Sequence, residues 1–425
     1  MKNSLKIHKN IWYASIMILI LVFVSTFVAV VSPAQAAKSV SQTAISNYLA
    51  AQTNPALTDQ QKIKAAIDAY FTTRYEGQKL LQTQEFSAVL SDAAQPWVKM
   101  ENNKRGIEIY NAQRFDLQYL SYKYTLDYSA INIKNNAATV RLYESHEVVF
   151  KALAPVVSKM SNLEHIFTLQ NKGGRWAIVQ DKYQDELSRQ LNNASAESIK
   201  QQVDENYNLY QDPTRQTPAS SNQEVNPFSD VTPNMTTASY NRALAVAYAN
   251  KYAYGTNSHY SPRQIIKKVS VDCTDFVSQA IYAGMGYNKD SDVSTYNQNG
   301  MSVSTPGWWY NFSTHIGSVQ WVNVVDQYNF ITRNTLRKGP YGYGLAKGVL
   351  CPLANGDIVQ VIDGTADFGH EGIIVSSPFP SCNNLQLSMY QVDAHDIDRL
   401  RYPLSAWGAL PMRFIKISGY RKLSP

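Results

Sequence analysis

Val271-Asp272-Cys273-Thr274-Asp275-Phe276-Val277-Ser278-Gln279 sets a cysteine in the first turn of a predicted amphipathic helix, whose apolar stripe is Phe276, Val277, Ala280 and Ile281. Far downstream, Gly369-His370-Glu371-Gly372-Ile373-Ile374-Val375 opens a strand with a histidine. Cysteine attacks as a thiolate, so a helix N-terminus and a neighbouring imidazole are what would make it reactive. Asp272 suits the N-cap, because its carboxylate can accept an orphan amide of the first turn. Asp272 and Asp275 oppose the thiolate by like charge, and His370 is therefore expected as the general base. A third group usually orients the base. His395, in Tyr390-Gln391-Val392-Asp393-Ala394-His395-Asp396, ends the next predicted strand and takes that role, with Asp393, on the same strand parity, as the alternative.

Working outward, a helix is predicted over 240–254, the cysteine helix over 273–283 ahead of Gly284, and another helix around 321–332. Strands follow over 357–362, 370–376, 386–393 and 412–418, giving an antiparallel sheet with helices on one side and a domain over 239–425. Residues 45–200 read as a separate α+β domain. It has a long helix over 59–76, a short one over 83–90, then strands over 117–133, 138–150 and 163–170, with Arg175-Trp176-Ala177-Ile178-Val179 starting a fourth. Its order resembles the nuclear-transport-factor-two-like or cystatin-like cone. Between the domains, 201–235 is rich in Gln, Asn and Xaa-Pro steps and reads as a linker allowing wide interdomain motion.

Residues 1–36 have the layout of a signal peptide: Lys2, Lys6 and Lys9, an apolar run from Ile11 to Val31, and Ala34-Gln35-Ala36 as the cleavage site. A secreted or cell-wall-associated protein is expected, membrane-bound only if this segment is retained. The formal charge of +6 includes those three lysines, so the remaining chain is close to neutral, and its basic residues are scattered. No nucleic-acid partner is expected. With 3 cysteines, one stays free or pairs outside the chain. Cys273 is the candidate, while Cys351 and Cys382 could bridge or stay reduced. Phosphate loops and dinucleotide fingerprints are absent, so no cofactor is expected. His370, Glu371, Asp393 and His395 could in principle ligate zinc, but their spacing matches no standard zinc motif, and no metal is expected.

Tyr240-Asn241-Arg242 through Ala247-Tyr248-Ala249, Asp272 to Gln279, Trp321-Val322-Asn323-Val324, Gly356-Asp357-Ile358-Val359, His370 and Ala394-His395-Asp396-Ile397-Asp398 together resemble the amidase domain described in Gram-positive bacteria. That family is similar to the NlpC-type and CHAP-type papain-like cysteine hydrolases, which often cut amide bonds in peptidoglycan. The resemblance implies Cys273 as nucleophile, His370 as base and His395 as orienting residue, with a peptidoglycan or peptide substrate. Asp275 stands where the family usually has Asn, and 378–384 is an insertion. Among the aromatic residues near the site, Tyr254 and Trp321 are the candidates for substrate contact, with Asp272 beside them. The resulting expectation is an exported cysteine amidase or peptidase working through an acyl-enzyme. The alternative is a non-catalytic extracellular binding or adaptor module.

Overall fold

The computed structural model describes residues 33–216, 235–260, 265–266, 269–270, 272–287, 307–312, 314–335, 337–364 and 366–423. The expected signal peptide up to residue 32 and the middle of the expected linker, 217–234, lie outside them. The chain begins with α1 (Pro33–Thr53) and α2 (Asp59–Leu80). Thr58 and Gln61 close a capping box at the start of α2, which satisfies two otherwise orphaned amides. Ile63, Ala66, Ile67, Tyr70 and Phe71 then bury one face of it. No helix forms over 83–90, which holds only a short 3-10 turn at Ser87–Val89. Instead α3 (Gln95–Arg114) follows, and after it the strands β1 (Tyr119–Lys134), β2 (Ala137–Phe150), β3 (Val157–Lys172) and β4 (Arg175–Lys182). Two helices end this half, α4 (Glu186–Leu191) and α5 (Ala196–Gln211).

The second half opens with β5 (Met235–Ala238) and α6 (Arg242–Tyr252), then the two-residue pairs β6 (Ile265–Ile266) and β7 (Val269–Ser270), and α7 (Asp272–Tyr282), which carries Cys273. After β8 (Tyr310–Asn311) and β9 (Ile316–Gly317) come α8 (Val319–Val322) and α9 (Val324–Arg333). The remaining strands are β10 (Gly339–Gly344), β11 (Ile358–Val361), β12 (His370–Ser376), β13 (Gln391–Ala394), β14 (Asp398–Pro403) and β15 (Met412–Leu423). The class is α+β, built on a large antiparallel sheet. Cys351 and Cys382 are joined by a disulfide, and Cys273 is free.

The sheet does not stop at the boundary between the halves. Its 11 strands run β1-β2-β3-β14-β13-β12-β11-β15-β10, with β4 also on β3 and β5 on β15. The junction is β3. Its start, Lys159–Ser161, pairs antiparallel with Asp398–Leu400, while its end pairs with β4. The Asn162 side chain, on a residue in the left-handed region, donates to Asp398 Oδ2 at 2.6 Å, and the Ser158 hydroxyl donates to the Arg401 carbonyl at 2.7 Å. Arg399 forks onto Glu186 with two bonds of 2.6 and 2.7 Å. A single core takes Phe150, Val203 and Tyr210 from the first half and Val361, Ile374, Trp407 and Phe414 from the second.

Residues 201–211, expected to belong to a linker, therefore belong to a docked helix. Ile199, Val203 and Tyr210 recur at helical spacing on the buried side of α5, and the Asn206 amide donates to the Gly408 and Leu410 carbonyls, both at 2.8 Å. Within the described residues the halves are joined by backbone ladder, shared core and a buried ion pair. Arg399→Ala leaves Glu186 buried and unpaired, so a loss of about 3–5 kcal/mol is expected in urea unfolding, with both halves melting in one transition. Two separate transitions, with the first half unaffected by the substitution, would contradict this coupling.

Candidate active site

Helix α7 is buried along nearly its whole length, with Phe276, Val277, Ala280 and Ile281 packed into a core with Ile358, Ile373 and Ile415 of the sheet. Its C-terminal end approaches the Tyr240 ring so closely that a Cβ at Gly284 would collide with it. That approach fixes the helix against α6. Cys273 stands in the first turn, 6 % exposed, with its Sγ 3.7 Å from the Thr274 hydroxyl. Burial pushes the thiol pKa well up, and the carboxylates of Glu371 and Asp396 push it further. The Thr274 hydroxyl and the Glu371 amide act the other way.

Strand β12 is buried on both faces, so alternation decides what reaches the sulfur. Ile373 and Val375 face the core of α7, whereas Ile374 packs with Val359 and Val361 in the core shared with the first half. His370, paired with Val361, follows Ile374. Its ring meets Trp407 edge-on at 5.3 Å, and its Nε2 lies 3.3 Å from Glu186 Oε1, without the alignment of a full hydrogen bond. Burial, assisted by Arg399 and Arg189 and opposed by Glu186, pushes His370 down to about 3, so the imidazole is neutral. The structure does not bring His370 to Cys273; the residue expected as base lies across the sheet from the nucleophile helix.

Glu371 takes the near face instead. It is fully buried, and its Oε2 accepts from Gln360 Nε2 at 2.6 Å. Gln360 is itself held by Arg413, whose Nε donates to Gln360 Oε1 at 2.7 Å, and Gln360 also donates to the Val324 carbonyl at 2.9 Å. Thr274 and Gln327 lie beside the Glu371 carboxyl, but neither closes an aligned bond on Oε1, which has no hydrogen-bond partner among the described residues. Burial pushes this carboxyl up to about 8.

The imidazole that does share the first turn of α7 is His395. Its Nδ1 is 2.7 Å from Asp272 Oδ2, its Nε2 is 2.7 Å from the Tyr252 carbonyl, and its ring stacks on Phe276 at 4.0 Å. Asp272 is thus engaged with His395. Asp393, the alternative orienting residue, lies opposite Ile373 and accepts from the Arg401 amide at 2.6 Å, with burial pushing it up to about 7. Asp275 accepts from the Trp321 indole N–H and from Gln279, and burial pushes it up to about 7. Trp321 is fully buried against Trp308 and Tyr260, which makes it a core residue and not part of an open groove. Tyr254, just beyond α6, is 39 % exposed and so accessible to a ligand.

Sequence reading offers Glu371 only as a possible zinc ligand and gives Thr274, Gln360 and Gln327 no role. One signal was available: a charged residue inside a run of apolar strand residues has to be explained by its surroundings. Among the described residues no cluster of three or more His, Cys, Asp or Glu side chains is placed to hold a metal ion. No described helix is long and apolar enough to cross a membrane.

The buried carboxyls give the fold a distinct pH response. Asp275, Glu371 and Asp393 hold protons to about 7, 8 and 7, so at these three sites the folded state binds more protons than the unfolded chain from about pH 4 upward and their contribution to stability falls as pH rises toward 8, while the buried His146 and His370, held down to about 4 and 3, act the other way below about pH 6.5. Glu101, Glu144 and Glu186 behave oppositely: despite burial, their cationic neighbours hold them down to about 2, and their contribution is lost as pH falls through that range. Thermal melts should therefore show a maximum on the acid side of neutrality. Asp275→Asn with Asp393→Asn should flatten the alkaline limb, and an unchanged limb would refute the assignment.

Residues 239–417 match the family model described as "Putative amidase domain", which supports an amide-bond hydrolase. No curated protein and no solved structure matches the chain.

Proposed function

We propose that the second half hydrolyses an amide bond with Cys273 as nucleophile, in a papain-like arrangement, while the first half is a cystatin-like cone docked on it. The observation that carries this reading is Cys273 in the first turn of α7, with the buried Asp272–His395 pair on one side and Glu371 on the other. Free amides at a helix start can hold the oxygen of a tetrahedral intermediate, and the Asp272–His395 pair fixes that end of the helix. Sulfur attacks the carbonyl carbon, the amine departs, and water then releases the acid from the thioester. The aromatic Tyr254 at the surface suits a peptide or sugar-peptide chain, and the resemblance points to cell-wall peptides. Lys2, Lys6, Lys9, the apolar run and Ala34-Gln35-Ala36 support export.

The second reading, a non-catalytic binding module, has one observation in its favour. Burial holds the thiol protonated, and neither imidazole is hydrogen-bonded to it. Digestion of purified wall peptides followed by mass spectrometry decides between them. Cys273→Ala should lower amide cleavage by at least about 10³-fold and His395→Ala by about 10²-fold. His370→Ala should act on stability, leaving turnover within about tenfold in the fraction that folds, because its ring faces Glu186 and Trp407. Cleavage by the Cys273→Ala protein at the original rate would remove the cysteine mechanism, and loss of turnover in well-folded His370→Ala would restore His370 as the base.

A further inference from the structure

A thiol that is buried, lies among carboxylates and has no imidazole bonded to it needs another destination for its proton. Three observations converge on one. The Thr274 hydroxyl lies 3.7 Å from Cys273 Sγ and also beside the Glu371 carboxyl. Glu371 Oε2 is tied down through Gln360 to Arg413, so the carboxyl cannot swing away. Its Oε1 is completely buried and has no hydrogen-bond partner among the described residues, which leaves its lone pairs open to a proton. We infer that Glu371, acting through the Thr274 hydroxyl, takes the proton of Cys273 as the sulfur attacks and returns it to the departing nitrogen. This rests on the reading of Cys273 as an amide-cleaving nucleophile.

The step balances within the site. As the C–S bond forms, the thiol proton passes to Thr274 Oγ1, the Thr274 proton passes to Glu371 Oε1, and the carbonyl π electrons move to oxygen. On collapse the C–N bond breaks and the nitrogen gains a proton by the reverse path. In the second half water gives its proton to Glu371 and its oxygen to the acyl carbon, the C–S bond breaks, and the sulfur takes the proton back. Around Glu371 stand Cys273 and Thr274 of α7, Gln327 of α9, Gln360 of β11 and Arg413 of β15, with Asp396 acting on the same sulfur from beyond β13. Proton affinity near neutrality, which burial confers on this carboxyl, suits a group that must both accept and donate.

Because Cys351 and Cys382 are disulfide-bonded, alkylation by iodoacetamide reports on Cys273 alone. The test compares the pH dependence of alkylation and of wall-peptide cleavage in the full chain, Glu371→Gln, Glu371→Asp and Thr274→Val, with thermal melts to show that each folds. Glu371→Gln should lower kcat by about 10²-fold with KM within about threefold, and should abolish the limb near pH 8 in both profiles. Glu371→Asp should restore part of the rate, and Thr274→Val should lose about tenfold with the limb retained. A Glu371→Gln protein with the original kcat, or with an unshifted alkylation profile, overturns the inference. Alkylation needs no substrate, so a chain that cleaves nothing still tests Glu371, while loss of the limb without any cleavage sinks only the amidase reading.

Discussion

A strand buried on both faces has no solvent side to anchor its register, and β12 shows how much follows from that. One step along the backbone separates His370 from Glu371, and the sheet lies between their side chains. The imidazole goes to Glu186 and Trp407, and the carboxyl goes to Gln360 on the face that carries the cysteine helix. A polar residue on a half-exposed strand would declare its face by exposure. Here Ile373 and Ile374 are both fully buried, in different cores, so hydrophobicity carries no information about parity.

The same ambiguity explains what the sequence did and did not reveal. Helix α7, the strand β12 and the hairpins of the first half were legible, because each has a clean apolar period or a turn pair such as Gly173-Gly174. Helix α3 was not. Its inward face mixes Trp97, Ile107 and Ala112 with Glu101, Lys104 and Arg105, Glu101 accepting from Arg105, Tyr70 and Tyr183, so a buried ionic network interrupts the apolar stripe that marks a packed helix. Helix α5 hid inside a Gln-rich and Asn-rich composition. Strand β10 had no expected counterpart, and its Gly342 is required because any side chain there would strike the Lys416 carbonyl of β15.

Contacts between the halves bear on the site through β14. Arg399 lies on that strand, one ladder from β13 and its Asp393, and it is clamped by Glu186 of the first half. Glu186 is also the charged neighbour of His370. One carboxylate of the first half thus positions a cation on the central sheet and occupies the imidazole that sequence pattern assigned to catalysis. Sequence spacing alone could not anticipate a partner drawn from nearly two hundred residues upstream.

The electrostatics of Cys273 fit a nucleophile that is quiet until it is used. A helix terminus offers roughly half a positive charge, which falls short against the carboxylates around this turn once burial has removed water. Resting sulfur is therefore a thiol, and thiols react slowly with oxidants compared with thiolates. On the proposed mechanism, reactivity depends on a proton acceptor that engages only as the carbon–sulfur bond forms, and an acidic first turn that looks unfavourable for a cysteine hydrolase would keep its sulfur a thiol until then.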